Sequence, residues 1–162
     1  MTAEFRDIAA AMPTPVFIIT SVTEAKRAIG TTLSAVMPLS LDPMLIVASF
    51  DRNSSTLREI RKPGTPLAFN LLAADQQDEV RSFASKADDK FAGVRWTESE
   101  NGVRLLDRAC GIYEGRVEAI LPGGDHELVV AAVDHITHHP DRPAMAYWQR
   151  GFFSAQALNP KA

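Results

Sequence analysis

The feature that most constrains this chain is a series of short apolar runs, each closed by proline, glycine or polar residues. They are Val16-Phe17-Ile18-Ile19-Thr20, Leu45-Ile46-Val47-Ala48-Ser49-Phe50 and Pro66-Leu67-Ala68-Phe69-Asn70-Leu71. Runs this short, bounded this way, read as buried strands rather than helices. Tyr113–Leu121 and His126–Ile136 are further strand-like stretches, and Pro122-Gly123-Gly124-Asp125 between them is a strong hairpin turn. Helical spacing appears at Glu4–Met12, where Phe5, Ile8, Ala9 and Met12 line up before Pro13. Two more helices are expected at Ser54–Arg61 and Ala74–Ser85. Most strands therefore follow one another with no helix between them, which disfavours a doubly wound parallel sheet. The expected architecture is mainly β, a closed or nearly closed antiparallel barrel with a few peripheral helices.

Composition narrows the function classes. The 162 residues suit one domain, expected over residues 1–156 with a frayed C-terminal tail at 157–162. Hydrophobic residues make up 46% and charged residues 23%, an ordinary globular balance that argues against disorder. A net charge of −3 gives no basic excess for nucleic acid. Cys110 is the single cysteine, which rules out an intrachain disulfide and a multi-cysteine metal site and points to a reducing cytoplasm. The first residues carry an acid and lack the order of a secretion signal, and no apolar run approaches the roughly 20 residues of a membrane span.

Three segments carry candidate chemistry. In Gly30-Thr31-Thr32-Leu33-Ser34-Ala35, alternation puts Thr32 and Ser34 on one strand face and Leu33 on the other. Their hydroxyls suit the hydrogen-bonding rim of a flat heterocycle, and equally an exposed strand face rich in threonine. Asp51-Arg52-Asn53-Ser54-Ser55-Thr56 joins a strand to a helix. Free backbone N–H groups, hydroxyls and Arg52 there suit a phosphate, while ordinary capping needs only one hydroxyl. Gly124-Asp125-His126 places a histidine beside a tight turn, at a pocket mouth or simply at the surface. His135, His138 and His139 do not converge as metal ligands: on a strand His135 and His139 lie about 13 Å apart and His138 faces the other way. No Gly-x-Gly-x-x-Gly, phosphate-loop lysine or nucleophile elbow is present.

Taken in order, these segments resemble the flavin reductase-like family of FMN-binding split barrels. The resemblance runs through Gly30-Thr31-Thr32-Leu33-Ser34, Ser40-Leu41-Asp42-Pro43 and Arg52-Asn53-Ser54-Ser55-Thr56. It continues through Phe69-Asn70-Leu71-Leu72, Asp89-Lys90-Phe91-Ala92-Gly93-Val94-Arg95-Trp96, Gly124-Asp125-His126 and Pro143-Ala144-Met145-Ala146-Tyr147. It covers roughly Phe5 to Phe153.

The resemblance implies a Greek-key-like split β-barrel that reduces FMN or FAD with NADH or NADPH. Reduced flavin then passes to a partner monooxygenase. A non-catalytic flavin carrier, or a flavin-bound oxidoreductase acting on another substrate, are the alternatives. By resemblance the flavin ring and ribityl chain fall to Thr32, Leu33, Ser34 and Ala35, and the phosphate to Ser49, Asp51, Ser54 and Thr56. Lys90 and Phe91 close over the flavin, His126 stands where nicotinamide approaches, and the barrel pairs as a homodimer. Ala35 replaces a usual serine, which removes one hydroxyl and about 0.5–1.5 kcal/mol of flavin binding.

Overall fold

The computed structural model describes residues 1–156; the expected tail at 157–162 lies outside the described residues. Helix α1 (Thr2–Ala10) is followed by β1 (Thr14–Pro15), β2 (Phe17–Val22), β3 (Ala28–Leu33), β4 (Val36–Leu41) and β5 (Met44–Asp51). After α2 (Ser55–Ile60) come β6 (Pro66–Leu71), α3 (Gln77–Ala84), β7 (Trp96–Glu98) and β8 (Arg104–Leu106). The chain closes with β9 (Gly111–Gly123), β10 (His126–His138), β11 (Met145–Trp148) and β12 (Gly151–Ser154). The fold is mainly β and antiparallel with three short helices among the described residues, as the apolar runs predict. No described helix is long and apolar enough to cross a membrane.

Seven strands form one antiparallel sheet in the order β3-β2-β6-β9-β10-β5-β4. Its two edge strands, β3 and β4, are consecutive in the chain and joined only by Ser34 and Ala35. A flat seven-stranded sheet would hold its edges about 29 Å apart. Three residue steps span at most about 11 Å, so the sheet curls until the edges meet. The Ser49 N–H donates to the Ala35 carbonyl at 2.9 Å and ties this link to β5.

Curling gives each strand an inside and an outside. Phe17, Ile19, Phe50, Leu57, Phe69 and Val129 fill the interior. Ile18, Ala68, Phe83, Phe91, Leu106 and Met145 form a second cluster on the outer face of β2 and β6, under α3 and the β7–β8 hairpin. Burial on both faces explains why β2 reads as an unbroken apolar run instead of an alternating one.

The β9–β10 hairpin turns through Gly124 and Asp125, since Gly123 pairs with His126 and Gly124 takes φ +74. Register shifts near Ala131 and Val133 bend the long hairpin. At one of them Gly115 is obligatory, because a Cβ there would sit 1.9 Å from the Ala132 carbonyl oxygen.

Helix α3 begins at Gln77, later than the expected Ala74. Ala73 bridges to Ala144, the Ala74 N–H donates to the Pro143 carbonyl, and the Gln76 side chain accepts from the Ala73 N–H. The contacts to Pro143 and Ala144 and the Gln76 N–H donating to the Ala73 carbonyl at 3.0 Å hold Ala74 and Asp75 in a turn ahead of the helix. Helix α1 ends at Ala10, and among the described residues its larger apolar side chains stay exposed, Phe5 at 75% and Ile8 at 69%.

Candidate functional site

A cleft of about 470 Å³ opens between the start of β3, the exposed side of α2 and the loop after α3. The Ser54 hydroxyl caps α2 by accepting from the Leu57 N–H at 3.2 Å. That leaves Ser55, Arg58 and Glu59, at helical spacing, to face the cleft. Of the three hydroxyls in the turn, one caps, one (Thr56) is buried in the cleft wall and one (Ser55) is exposed at the opening.

The opposite wall is built by Lys90 and Phe91. The Lys90 ammonium donates to the Gly30 carbonyl at 3.3 Å and the Phe83 carbonyl at 3.0 Å, which pins the loop to both β3 and α3. Burial pushes the Lys90 pKa below the ordinary lysine value. Phe91 is 5% exposed, meets Phe83 edge-on at 4.8 Å and lies under the Arg104 guanidinium. Arg104 also stacks on Trp96. Phe91 thus forms a fixed wall of the cleft, with its ring committed to the core. Gly30 keeps this wall close, since a Cβ there would lie 2.7 Å from the Phe83 ring.

Thr32 and Ser34 sit elsewhere. With Leu33, Val80, Tyr147 and Phe152 they line a smaller hollow of about 240 Å³ near the other end of β3. The Thr32 hydroxyl donates to the Val80 carbonyl at 3.3 Å, so its proton is committed to α3. The Asp51 carboxylate accepts from the Asn53 N–H at 2.7 Å and shapes the turn before α2. Ala35 is exposed, Ser49 is half-buried, and both lie outside the two cavities.

His126 is brought to the same turn by strand pairing, because it stands opposite Asp51 across β10 and β5. The Arg52 N–H donates to the Asp125 carbonyl at 3.2 Å and docks the hairpin tip on the turn. The Asp125 carboxylate lies 2.8 Å from His126 Nδ1. That hydrogen bond is the main reason the Asp125 pKa falls below its ordinary value, and an ionised carboxylate can only accept, which places the proton on Nδ1. The structure therefore gathers Asp51, Ser54, Thr56, Lys90, Phe91 and His126 around the β5–α2 turn and the cleft. It sets Thr32, Leu33 and Ser34 at the second hollow.

Sequence reading passed over Arg27, Arg58 and Lys86 in the cleft lining. The spacing of Ser55, Arg58 and Glu59 on one face of α2 was a usable signal for Arg58. No local signal marks Arg27 or Lys86, which arrive from a turn and a loop.

Among known proteins, the chain is 32% identical over 151 residues to a protein named flavin reductase (NADH) from Kitasatospora aureofaciens, covering 91% of this chain and 78% of the relative. It is 26% identical over 151 residues to the reductase component of a flavin-dependent trigonelline monooxygenase from Acinetobacter baylyi, covering 93% of this chain. The chain spans only about half of that relative's length, 48%. The fold is similar to the crystal structure of nitrilotriacetate monooxygenase component B from Mycobacterium thermoresistibile. The TM-score is 0.91 at 27% identity, over 99% of this chain and 90% of that one. Residues 9–156 match the sequence profile of the flavin reductase like domain, and the chain belongs to that family.

Proposed function

We propose that residues 1–156 act as one flavin reductase domain that binds FMN or FAD and reduces it with NADH or NADPH. The reduced flavin passes to a partner monooxygenase. The observation that carries this reading is family membership over nearly the whole chain, joined to a cleft that suits a flavin nucleotide. The relatives named as an NADH flavin reductase and as a monooxygenase reductase component support it.

The residues present fit the group. The cleft lies within the roughly 300–1,000 Å³ of small-molecule sites. Phe91 and Ile29 give it an apolar wall, while Arg27, Arg58 and Lys86 supply positive charge for a phosphate, with Ser55 and Thr56 beside them. When bound, nicotinamide and flavin supply the hydride donor and acceptor themselves, which accounts for the lack of a protein nucleophile.

The chain's own residues bind and orient. Lys90 holds the cleft wall and places a cation beside β3. Thr32, Leu33 and Ser34 offer the second hollow along β3, with Ala35 next in the link to β4, and Ser49, Asp51, Ser54 and Thr56 lie on the β5–α2 side. His126, held through Nδ1 by the Asp125 carboxylate, is the residue that meets the nicotinamide partner.

A homodimer in the cytoplasm completes the reading. Phe5 and Ile8 on α1, and Met37 and Leu39 on β4, stay exposed and suit a subunit contact. Light scattering on the purified protein is expected to give twice the chain mass, and a monomer overturns this part.

The decisive test mixes the protein with NADH or NADPH and with FMN or FAD, and follows absorbance at 340 nm. At least one pairing is expected to turn over. Flavin binding with no turnover in any pairing would establish the carrier alternative instead. Within the active pairing, His126→Ala is expected to slow turnover about tenfold or more, mainly through the nicotinamide KM.

A further inference from the structure

The cleft does not end at Arg58. A second cavity of about 750 Å³ lies beyond it, between the β2–β3 turn, the end of α2 and the loop that follows. Arg27, Arg58 and Glu59 line both cavities, so these residues form the ridge where the two meet. We propose that the chain selects a flavin dinucleotide over the mononucleotide. The pyrophosphate lies across the Arg27–Arg58 ridge and the adenosine lies in the second cavity beside Lys26. This rests on the reading that the flavin occupies the first cleft.

Charge and shape carry the assignment. Arg61 pairs with Glu127 at 2.9 Å and Lys62 with Glu24 at 3.4 Å, so those two cations are already matched. Lys26, Arg27 and Arg58 make no ion pair among the described residues. Glu59 on the same ridge also makes no ion pair among the described residues, which leaves three cations against one carboxylate. That net positive edge suits a pyrophosphate spread along it, whereas a mononucleotide brings only one phosphate.

The turn that presents two of them is preorganised. The Thr23 N–H donates to the Arg27 carbonyl at 2.9 Å, the Arg27 N–H to the Thr23 hydroxyl at 3.1 Å, and the Lys26 N–H to the Thr23 carbonyl at 2.9 Å. Thr23 is itself buried, which anchors the turn to the barrel. Lys26 takes φ +60, a conformation that this bonding sustains in a non-glycine residue. Little ordering remains to be done on binding, so more of the interaction appears as affinity. Ala25, Pro63 and Pro66 give the second cavity apolar surface for a purine face.

The test is equilibrium binding of FMN and of FAD to the purified protein, read by quenching of flavin fluorescence or by calorimetry. FAD is expected to bind about tenfold or more tightly than FMN. In Lys26→Glu, and separately in Lys26→Ala, that ratio is expected to fall to within about threefold, since Lys26 lines the second cavity and not the first cleft. FMN binding in the same samples shows that each variant is folded. ADP is expected to compete with FAD in the wild type more effectively than with FMN. Equal affinity of the wild type for the two flavins overturns the proposal, as does a ratio untouched by both substitutions. If Lys26→Glu instead weakens NADPH relative to NADH and leaves the flavin ratio intact, the cations read a ribose phosphate of nicotinamide and the proposal falls. Binding of neither flavin overturns the flavin site itself, a different result from binding both equally.

Discussion

The inside of the barrel and the layer on its outer face are both buried, yet they are specified in different ways. The interior is held mainly by the apolar side chains of Phe17, Ile19, Phe50, Phe69 and their aliphatic neighbours. The outer layer contains Asn70, fully buried beneath the β7–β8 hairpin. Its amide donates to the Ile18 carbonyl at 2.9 Å and the Thr20 hydroxyl at 3.1 Å, and its carbonyl accepts from the Leu106 N–H at 2.9 Å. Dispersion and area burial are non-directional, so the interior is stable but tolerant of detail. A buried amide with three partners admits one placement of β8, and β8 positions Arg104 over Phe91 at the cleft wall. The inside supplies stability, and the outside supplies the geometry of the site.

That contrast breaks first on its strongest side. Phe50→Ala is expected to lower unfolding free energy by about 3–5 kcal/mol, measured by denaturant titration, with one cooperative transition retained. Asn70→Leu strands the Leu106 N–H and is expected to cost about 1–3 kcal/mol. It should also raise amide exchange selectively across residues 96–106, and unchanged exchange there would show that packing alone places the hairpin. Gly30→Ala pushes a methyl into the Phe83 ring and is expected to cost about 1–3 kcal/mol. Flavin affinity should fall with it, because the Gly30 carbonyl that holds Lys90 must move.

The smallest effect concerns Asp75, at the rim of the outer layer, which pairs with Arg108 and Arg142. Burial raises its pKa, but hydrogen bonds and charge from the two arginines outweigh that and hold it below 3.8. The unfolded chain therefore binds a proton at higher pH than the folded one. The pair contributes stability above about pH 3.8 that is lost as pH falls through the lower folded value. The carboxylate is half exposed, so the contribution is small. Melting temperature against pH should fall less steeply below pH 4 in Asp75→Asn; identical slopes would remove Asp75 from the outer layer's support.

Much of the fold is legible in the sequence because it depends on neighbours along the chain. Short apolar runs at β2, β5 and β6 give strands, Gly123-Gly124-Asp125 gives the hairpin, and Ser54 starts α2, each through local backbone and capping preferences. Even family membership follows from the order of short motifs. Part of the structure has weaker local signals. The β11–β12 hairpin turns at Gln149 and Arg150 with φ +48 and +65, residues with no strong turn preference, and the apolar stripe of α1 suggests packing that the described chain does not provide.

What only the tertiary structure decides is which distant segments face one another. That Thr32 turns toward α3, that Lys90 spans Gly30 and Phe83, and that His126 stands opposite Asp51 depend on which strands pair and on how the seven-stranded sheet curls. Arg27 and Arg58 become one ridge for the same reason, since they lie 31 positions apart and only barrel closure places the β2–β3 turn against α2. Sequence periodicity records which face of a strand is apolar; loop closure and strand pairing decide what that face meets.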